Sequence, residues 1–187
     1  MHPSSSSLFF HVNPGLEVDF EPSDFKPRVF KRRETNIGNL SSNNRRYSKK
    51  SDKVGKLGEE FVFNYEQKFL KDSGFPELAK KVIWHRQEKT NKTPGWDITS
   101  FDLDGNPKLI EVKASAGATI SNVILTKNEF EKINEALIHD NYYIYLVSDI
   151  VKNPRMEILK NPAKYLSEGK LAITVESYSL LLGFVQE

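Results

Sequence analysis

Between residues 52 and 71 the apolar side chains fall at Val54, Leu57, Phe61, Val62, Tyr65 and Phe69. Spacings of three and four gather them on one stripe of a helix. Ser51 or Asp52 supplies a start signal, and Ser73-Gly74-Phe75-Pro76 a stop. The period then shortens. Val82-Ile83-Trp84 lies in a short extended run over 81–86, and residues 96–103 and 108–115 flank Asp104-Gly105-Asn106, a hairpin turn. A second amphipathic helix is predicted over 126–138, with Thr126 as N-cap and Glu129 as its capping-box partner. Tyr142 to Val147 is apolar throughout and predicts a central strand. A short helix over 161–167 and strands over 171–175 and 178–182 close the chain. The order gives an α/β (α+β) fold, a mixed central sheet with helices against it.

Residues 1–50 show no such period. Pro3, Pro14, Pro22 and Pro27 break helices, Ser4 to Ser7 is low complexity, and Ser41-Ser42-Asn43-Asn44 reads as a linker. The expected division is a basic, largely irregular arm over 1–50 and one domain over 51–187. The arm's aromatics, Phe9, Phe10, Phe20, Phe25 and Phe30, either stay with an extended arm or pack on the domain.

Composition removes several kinds of chemistry. The 187-residue chain has no cysteine, so disulfides, thiolate metal sites and cysteine nucleophiles are excluded. Its four histidines, His2, His11, His85 and His139, are scattered without zinc-ligand spacing. Any metal should therefore be a hard cation on carboxylates. No apolar run reaches the roughly 18 residues that span a bilayer. Residues 1–10 lack the charged start of a secretory signal, and a cytoplasmic location is expected.

The net charge of +2 hides an asymmetry. Lys26, Arg28, Lys31, Arg32, Arg33, Arg45, Arg46, Lys49, Lys50 and Lys53 are opposed over that span only by Glu34 and Asp52, and the remainder is net acidic. Lys31, Arg32, Arg33, Arg45, Arg46, Lys49 and Lys50 are thus candidates for contact with a polyanion such as nucleic acid. A solvated leader gives the same composition.

The chemistry concentrates in Gly95-Trp96-Asp97-Ile98 and Ile110-Glu111-Val112-Lys113. Alternation on a strand sends Glu111 and Lys113 to one face, and a hairpin can bring Asp97 beside Glu111. Asp97 and Glu111 would then bind Mg²⁺ or Mn²⁺, leaving places for water and a phosphate oxygen. Lys113 would orient or deprotonate the attacking water, or stabilise developing negative charge, the charged roles being favoured beside two carboxylates. The rival reading is a hairpin with ordinary surface charges.

Gly58-Glu59-Glu60-Phe61, Gly95-Trp96-Asp97-Ile98, Ile110-Glu111-Val112-Lys113-Ala114-Ser115 and Leu125-Thr126-Lys127-Asn128-Glu129 resemble the C-terminal domain named after the plant protein NO VEIN. The resemblance covers roughly residues 51–184. That family is similar to the PD-(D/E)xK nuclease superfamily. The resemblance implies a restriction-endonuclease-like fold and a Mg²⁺-dependent nuclease, acting on DNA in a restriction or phage-defence setting. It implies a larger defence or helicase-like ATPase complex as partner, and a homodimer is compatible with double-strand cutting. It also implies an acidic residue on the first helix that enters the site; Glu59 matches, and Glu60 is the alternative. A Pro-Asp pair is absent, since Trp96 precedes Asp97. A catalytically silent module that binds nucleic acid or a partner ATPase is the second reading, and an effector that cuts only when a partner licenses it is the third.

Other residues carry two readings each. Ser115 contacts phosphate or caps a turn. His85 serves the site or the framework. Lys89, Lys92 and Lys127 touch phosphates or water, and Trp84 and Trp96 pack or stack on a base.

Overall fold

The computed structural model describes residues 21–28, 49–87, 94–135 and 138–173, without the side chains of Lys49 and Lys50. Its centre is a six-stranded sheet in the order β1-β6-β5-β4-β3-β2. The strands are β1 (Ser23–Asp24), β2 (Ile83–Trp84), β3 (Ile98–Phe101), β4 (Pro107–Ala114), β5 (Tyr142–Ser148) and β6 (Arg155–Lys160). β4 and β5 run parallel, as do β1 and β6; the other neighbours are antiparallel. The helices are α1 (Lys49–Asp72), α2 (Pro76–Ala79), α3 (Lys127–Ile133) and α4 (Pro162–Ser167).

The apolar stripe of α1 covers one face of the sheet. Val62 and Leu70 are fully buried there with Ile98, Ile110, Val112, Tyr145 and Val147. The other face gathers Leu109, Tyr142, Ile144, Leu146, Ile133 of α3 and Leu166 of α4. Odd and even positions of β4 therefore serve different layers. At Gly58 α1 comes very close to the sheet, because a Cβ there would overlap the side chain of Ala114.

Glu66 crosses the α1 layer as a buried charge. Its carboxylate accepts from Tyr145 Oη at 2.6 Å, Ser100 Oγ at 2.7 Å and Lys108 Nζ at 2.7 and 2.9 Å. The Lys108 ammonium also sits over the Phe69, Tyr143 and Tyr145 rings at 5.4–5.9 Å. A carboxylate without water needs such donors, and this one ties α1 to three strands.

Several sequence expectations shift. α1 begins at Lys49, so Asp52 lies in its first turn and pairs with Arg86 at 3.1 Å. β2 ends after Trp84 in a 3₁₀ turn, while His85 N–H still donates to Asp97 O at 2.9 Å, one further bond in the register of β2 with β3. The hairpin forms at the expected place, with Asp102 accepting from the backbone N–H of Asp104 and Asn106. α3 stops at Ile133 rather than 138, where Asn134 donates through its side chain to Phe130 O at 2.8 Å. β6 has no expected counterpart: Met156 and Leu159 are buried on opposite sides, among charged neighbours that blur the alternation. Residues 171–173 form no strand, and the rest of the expected closing strands lies outside the described residues.

Part of the expected irregular arm belongs to the sheet. β1 pairs with β6, Phe25 packs edge-on against Tyr165 at 5.9 Å, and Arg28 pairs with Glu157 at 2.6 Å. Phe25 thus follows the packing alternative.

Candidate active site

Asp97 stands one residue before β3, where that strand meets β4. Its N–H donates to Ile110 O at 2.9 Å, and its Oδ2 accepts from Val112 N–H at 2.8 Å. These bonds dock the carboxylate on β4 beside Glu111. From β4, Glu111 and Lys113 project away from α1, as alternation requires. Lys113 Nζ lies 2.6 Å from Glu111 Oε1 and 2.8 Å from Glu129 Oε2. Asp97, Glu111 and Glu129 line one cavity of about 220 Å³, with Gly95, Trp96, Thr126 and Asn128 completing its wall. The expected trio is brought together.

Glu129 is the member whose role the sequence hides. Thr126-x-x-Glu129 reads as a capping box, and the box is present. The same carboxylate also holds Lys113. The signal available was position: this helix follows the glutamate-bearing strand and starts at the level of the cavity. Gly95, at φ +102°, lets α3 close on the site; a Cβ there would meet Lys132 and Asn128.

Crowding of negative charge sets the protonation behaviour. Burial, then repulsion from Glu59 and Glu129, raises the Asp97 carboxyl from its ordinary 3.8 to about 7, against the pull of Val112 N–H and Lys113. Burial and Asp97 raise Glu111 as well. Burial alone would lower Lys113, but Glu111 and Glu129 overcome it and hold the amine protonated. Burial and the same carboxylates raise the Tyr142 phenol, which donates to Gly95 O at 2.7 Å.

Asp97 and Glu111 offer only oxygen, the donor type that suits Mg²⁺ or Mn²⁺. Among the described residues no group of three or more His, Asp or Glu side chains is arranged to hold a metal ion. Any metal held here would thus rest on the pair and complete its shell with water or ligand oxygens.

Trp96 lines the cavity, whereas Glu59, Trp84, His85, Ser115 and Lys127 do not. Glu59 is buried and accepts from Trp84 Nε1 at 2.8 Å, with Arg86 Nε at 3.0 Å. It influences Asp97 through charge alone; Glu60 is exposed. His85 Nε2 is 2.8 Å from Thr99 Oγ1, which also accepts from Trp96 Nε1 at 2.8 Å. Ser115 Oγ accepts from Gly117 N–H at 3.0 Å, the turn-capping alternative. Lys127 is exposed, 3.6 Å from Glu131. Lys31, Arg32, Arg33, Arg45, Arg46, Lys89 and Lys92 lie outside the described residues, and Lys49 and Lys50 are placed only by backbone, in the first turn of α1. Among the described helices none is long and apolar enough to cross a membrane.

The family model described as Protein NO VEIN, C-terminal, matches residues 58–159, more than half of the chain. The chain belongs to that family. The matched span holds Glu59, Asp97, Glu111, Lys113 and Glu129, and ends at β6. No curated protein and no solved structure matches the chain.

Proposed function

We propose that this member of the NO VEIN C-terminal family is a metal-dependent phosphodiester hydrolase of the PD-(D/E)xK type, cutting DNA in a restriction or phage-defence setting. The convergence of Asp97 and Glu111 on one cavity, with Lys113 Nζ 2.6 Å from Glu111, carries the reading. The family membership supports it only at the level of the domain.

Asp97 and Glu111 would hold the dication. Their fit rests on donor chemistry: two crowded carboxylates resist ionising together, so a positive guest relieves the repulsion between them. When bound, Mg²⁺ or Mn²⁺ would neutralise phosphate charge and make the attacking water more acidic. Lys113 stays an ammonium between Glu111 and Glu129. It therefore acts as a fixed positive charge for the growing negative charge of the transition state rather than as a base. Val112 N–H keeps the Asp97 carboxylate turned to β4.

One observation favours a second reading, a silent module that binds nucleic acid or a partner ATPase complex. No set of three ligands is assembled among the described residues, and Lys113 is already satisfied by two carboxylates.

A cleavage panel decides between them. Double-stranded, single-stranded and modified DNA, and RNA, are incubated with Mg²⁺ or Mn²⁺ and wild type, Asp97→Ala or Lys113→Ala. The hydrolase reading expects cutting by wild type alone. Equal products from all three, or none from wild type with candidate partners added, removes it.

A further inference from the structure

We propose that Glu129 is a positioning residue for Lys113: with Glu111 it fixes the direction of the ammonium's remaining N–H beside the cavity that both carboxylates line. Its purpose rests on the hydrolase reading above; its geometry does not.

An ammonium has three N–H donors on a flexible four-carbon stem. One acceptor would leave it free to swivel. Here two acceptors come from different elements. Glu111 sits two residues away on β4 and receives one N–H at 2.6 Å; Glu129 sits on α3 and receives a second at 2.8 Å. Two fixed directions determine the third, and both carboxylates line the cavity.

Glu129 can serve as an anchor because it is itself anchored. Its Oε2 also accepts from Thr126 N–H at 3.0 Å, while Thr126 Oγ1 accepts from Glu129 N–H at 3.3 Å. The helix that carries it is pressed on Gly95, two residues before Asp97, through Asn128 and Lys132. A line of constraint thus runs from the segment bearing Asp97, through α3, to the Lys113 amine. A glutamate needed only as a cap would close its box without reaching across to β4.

The test uses ¹⁵N-lysine protein and the NH₃⁺ resonance of Lys113, assigned by its loss in Lys113→Met. Wild type should give a sharp, slowly exchanging signal. Glu129→Gln keeps an oxygen at both partners and should retain it; Glu129→Ala should lose it to solvent exchange. Asn134→Ala, which weakens the far end of α3, should leave it intact. If Glu129→Ala does not fold, Glu129→Asp takes its place, since the shorter side chain withdraws the oxygen from Nζ. A signal unchanged in Glu129→Ala or Glu129→Asp, or one absent from wild type, overturns the proposal. Single-turnover cleavage then adds the consequence. Glu129→Ala should cut about a hundred-fold more slowly at unchanged half-saturation, the scale of a small misplacement, and Glu129→Gln should recover most of the rate. A wild type that cuts nothing removes the hydrolase reading while the resonance still decides Glu129. A cutting wild type matched by Glu129→Ala removes the positioning role.

Discussion

The backbone of Gly58 on α1 lies so close to the methyl group of Ala114 on β4 that the two positions share room for only one side chain. Gly58→Ala should therefore destabilise the fold by about 1–3 kcal/mol, the usual cost of overpacking. It should do so despite the roughly 1 kcal/mol that alanine gains over glycine in a helix. Gly55 is the control: it lies on the same helix with nothing within 4 Å of a new Cβ. Gly55→Ala should raise the denaturation midpoint, and Ala114→Gly should rescue Gly58→Ala. Equal midpoints for Gly55→Ala and Gly58→Ala would refute the close approach.

The buried pair of Glu66 and Lys108 predicts a steeper loss. Glu66→Ala leaves the Lys108 cation without its carboxylate, 12% exposed at its side chain. Removing one partner of such a pair costs about 3–5 kcal/mol. Urea unfolding of Glu66→Ala should show this, and pairing Glu66→Leu with Lys108→Met should cost far less than Glu66→Ala alone.

Protonation of the cavity gives a pH dependence with a defined sign. Asp97 binds its proton more tightly in the fold, at about 7, than in the unfolded chain, at 3.8. Its contribution to stability is complete below the unfolded value and is lost as pH rises through about 7. Glu111 shifts in the same direction. Without metal, wild type should lose stability between about pH 4 and pH 7 relative to Asp97→Asn, by on the order of a few kcal/mol. Thermal unfolding of both across that range measures it; parallel curves would contradict the burial of this carboxyl.

Metal should act against that loss. At about a hundred times its dissociation constant a ligand of the folded state adds about 2.7 kcal/mol. Mg²⁺ or Mn²⁺ should raise the wild-type Tm at pH 8, more than at pH 5, and leave Asp97→Asn unmoved. Calorimetry showing the same binding in both proteins would take the metal away from Asp97.

The basic stretch calls for substitution rather than truncation. Removing residues 1–50 would also remove β1, Phe25 and Arg28, which hold the edge of the sheet. Neutralising Arg45, Arg46, Lys49 and Lys50 together should reduce the salt slope of DNA binding by about 0.9 for each phosphate these side chains neutralise. An unchanged slope clears them of that role.

Much of this architecture was legible because its signals are local. The stripe of α1, the Asp104-Gly105 hairpin, the Thr126 cap and the apolar Tyr142–Val147 run each specify their own element. The pairing of Asp97 with Glu111 followed from alternation and a turn. What stayed hidden depends on distant partners. β6 is covered on both faces, with Met156 and Ile158 in the α1-side core and Leu159 in the opposite one, so it lacks a clean alternation. Glu66 looks like one more polar residue on α1 until Ser100, Lys108 and Tyr145 arrive from three strands. Glu59 shares the buried face of α1 with Val62 and Leu70, but the Trp84 and Arg86 groups that satisfy it come from a separate segment. Glu129 carried an obvious local job that concealed its second one.

Glu66 has a bearing on the cavity that it never touches. Slide β4 by a single residue and Glu111 and Lys113 would swing under α1, while Ile110 and Val112 faced the ligand. Such a slip would strip Lys108 from Glu66, leaving opposite charges stranded in hydrocarbon. The alignment of the reactive groups is thus policed from the reverse side of the sheet, by a bond that has no reason to change when substrates do.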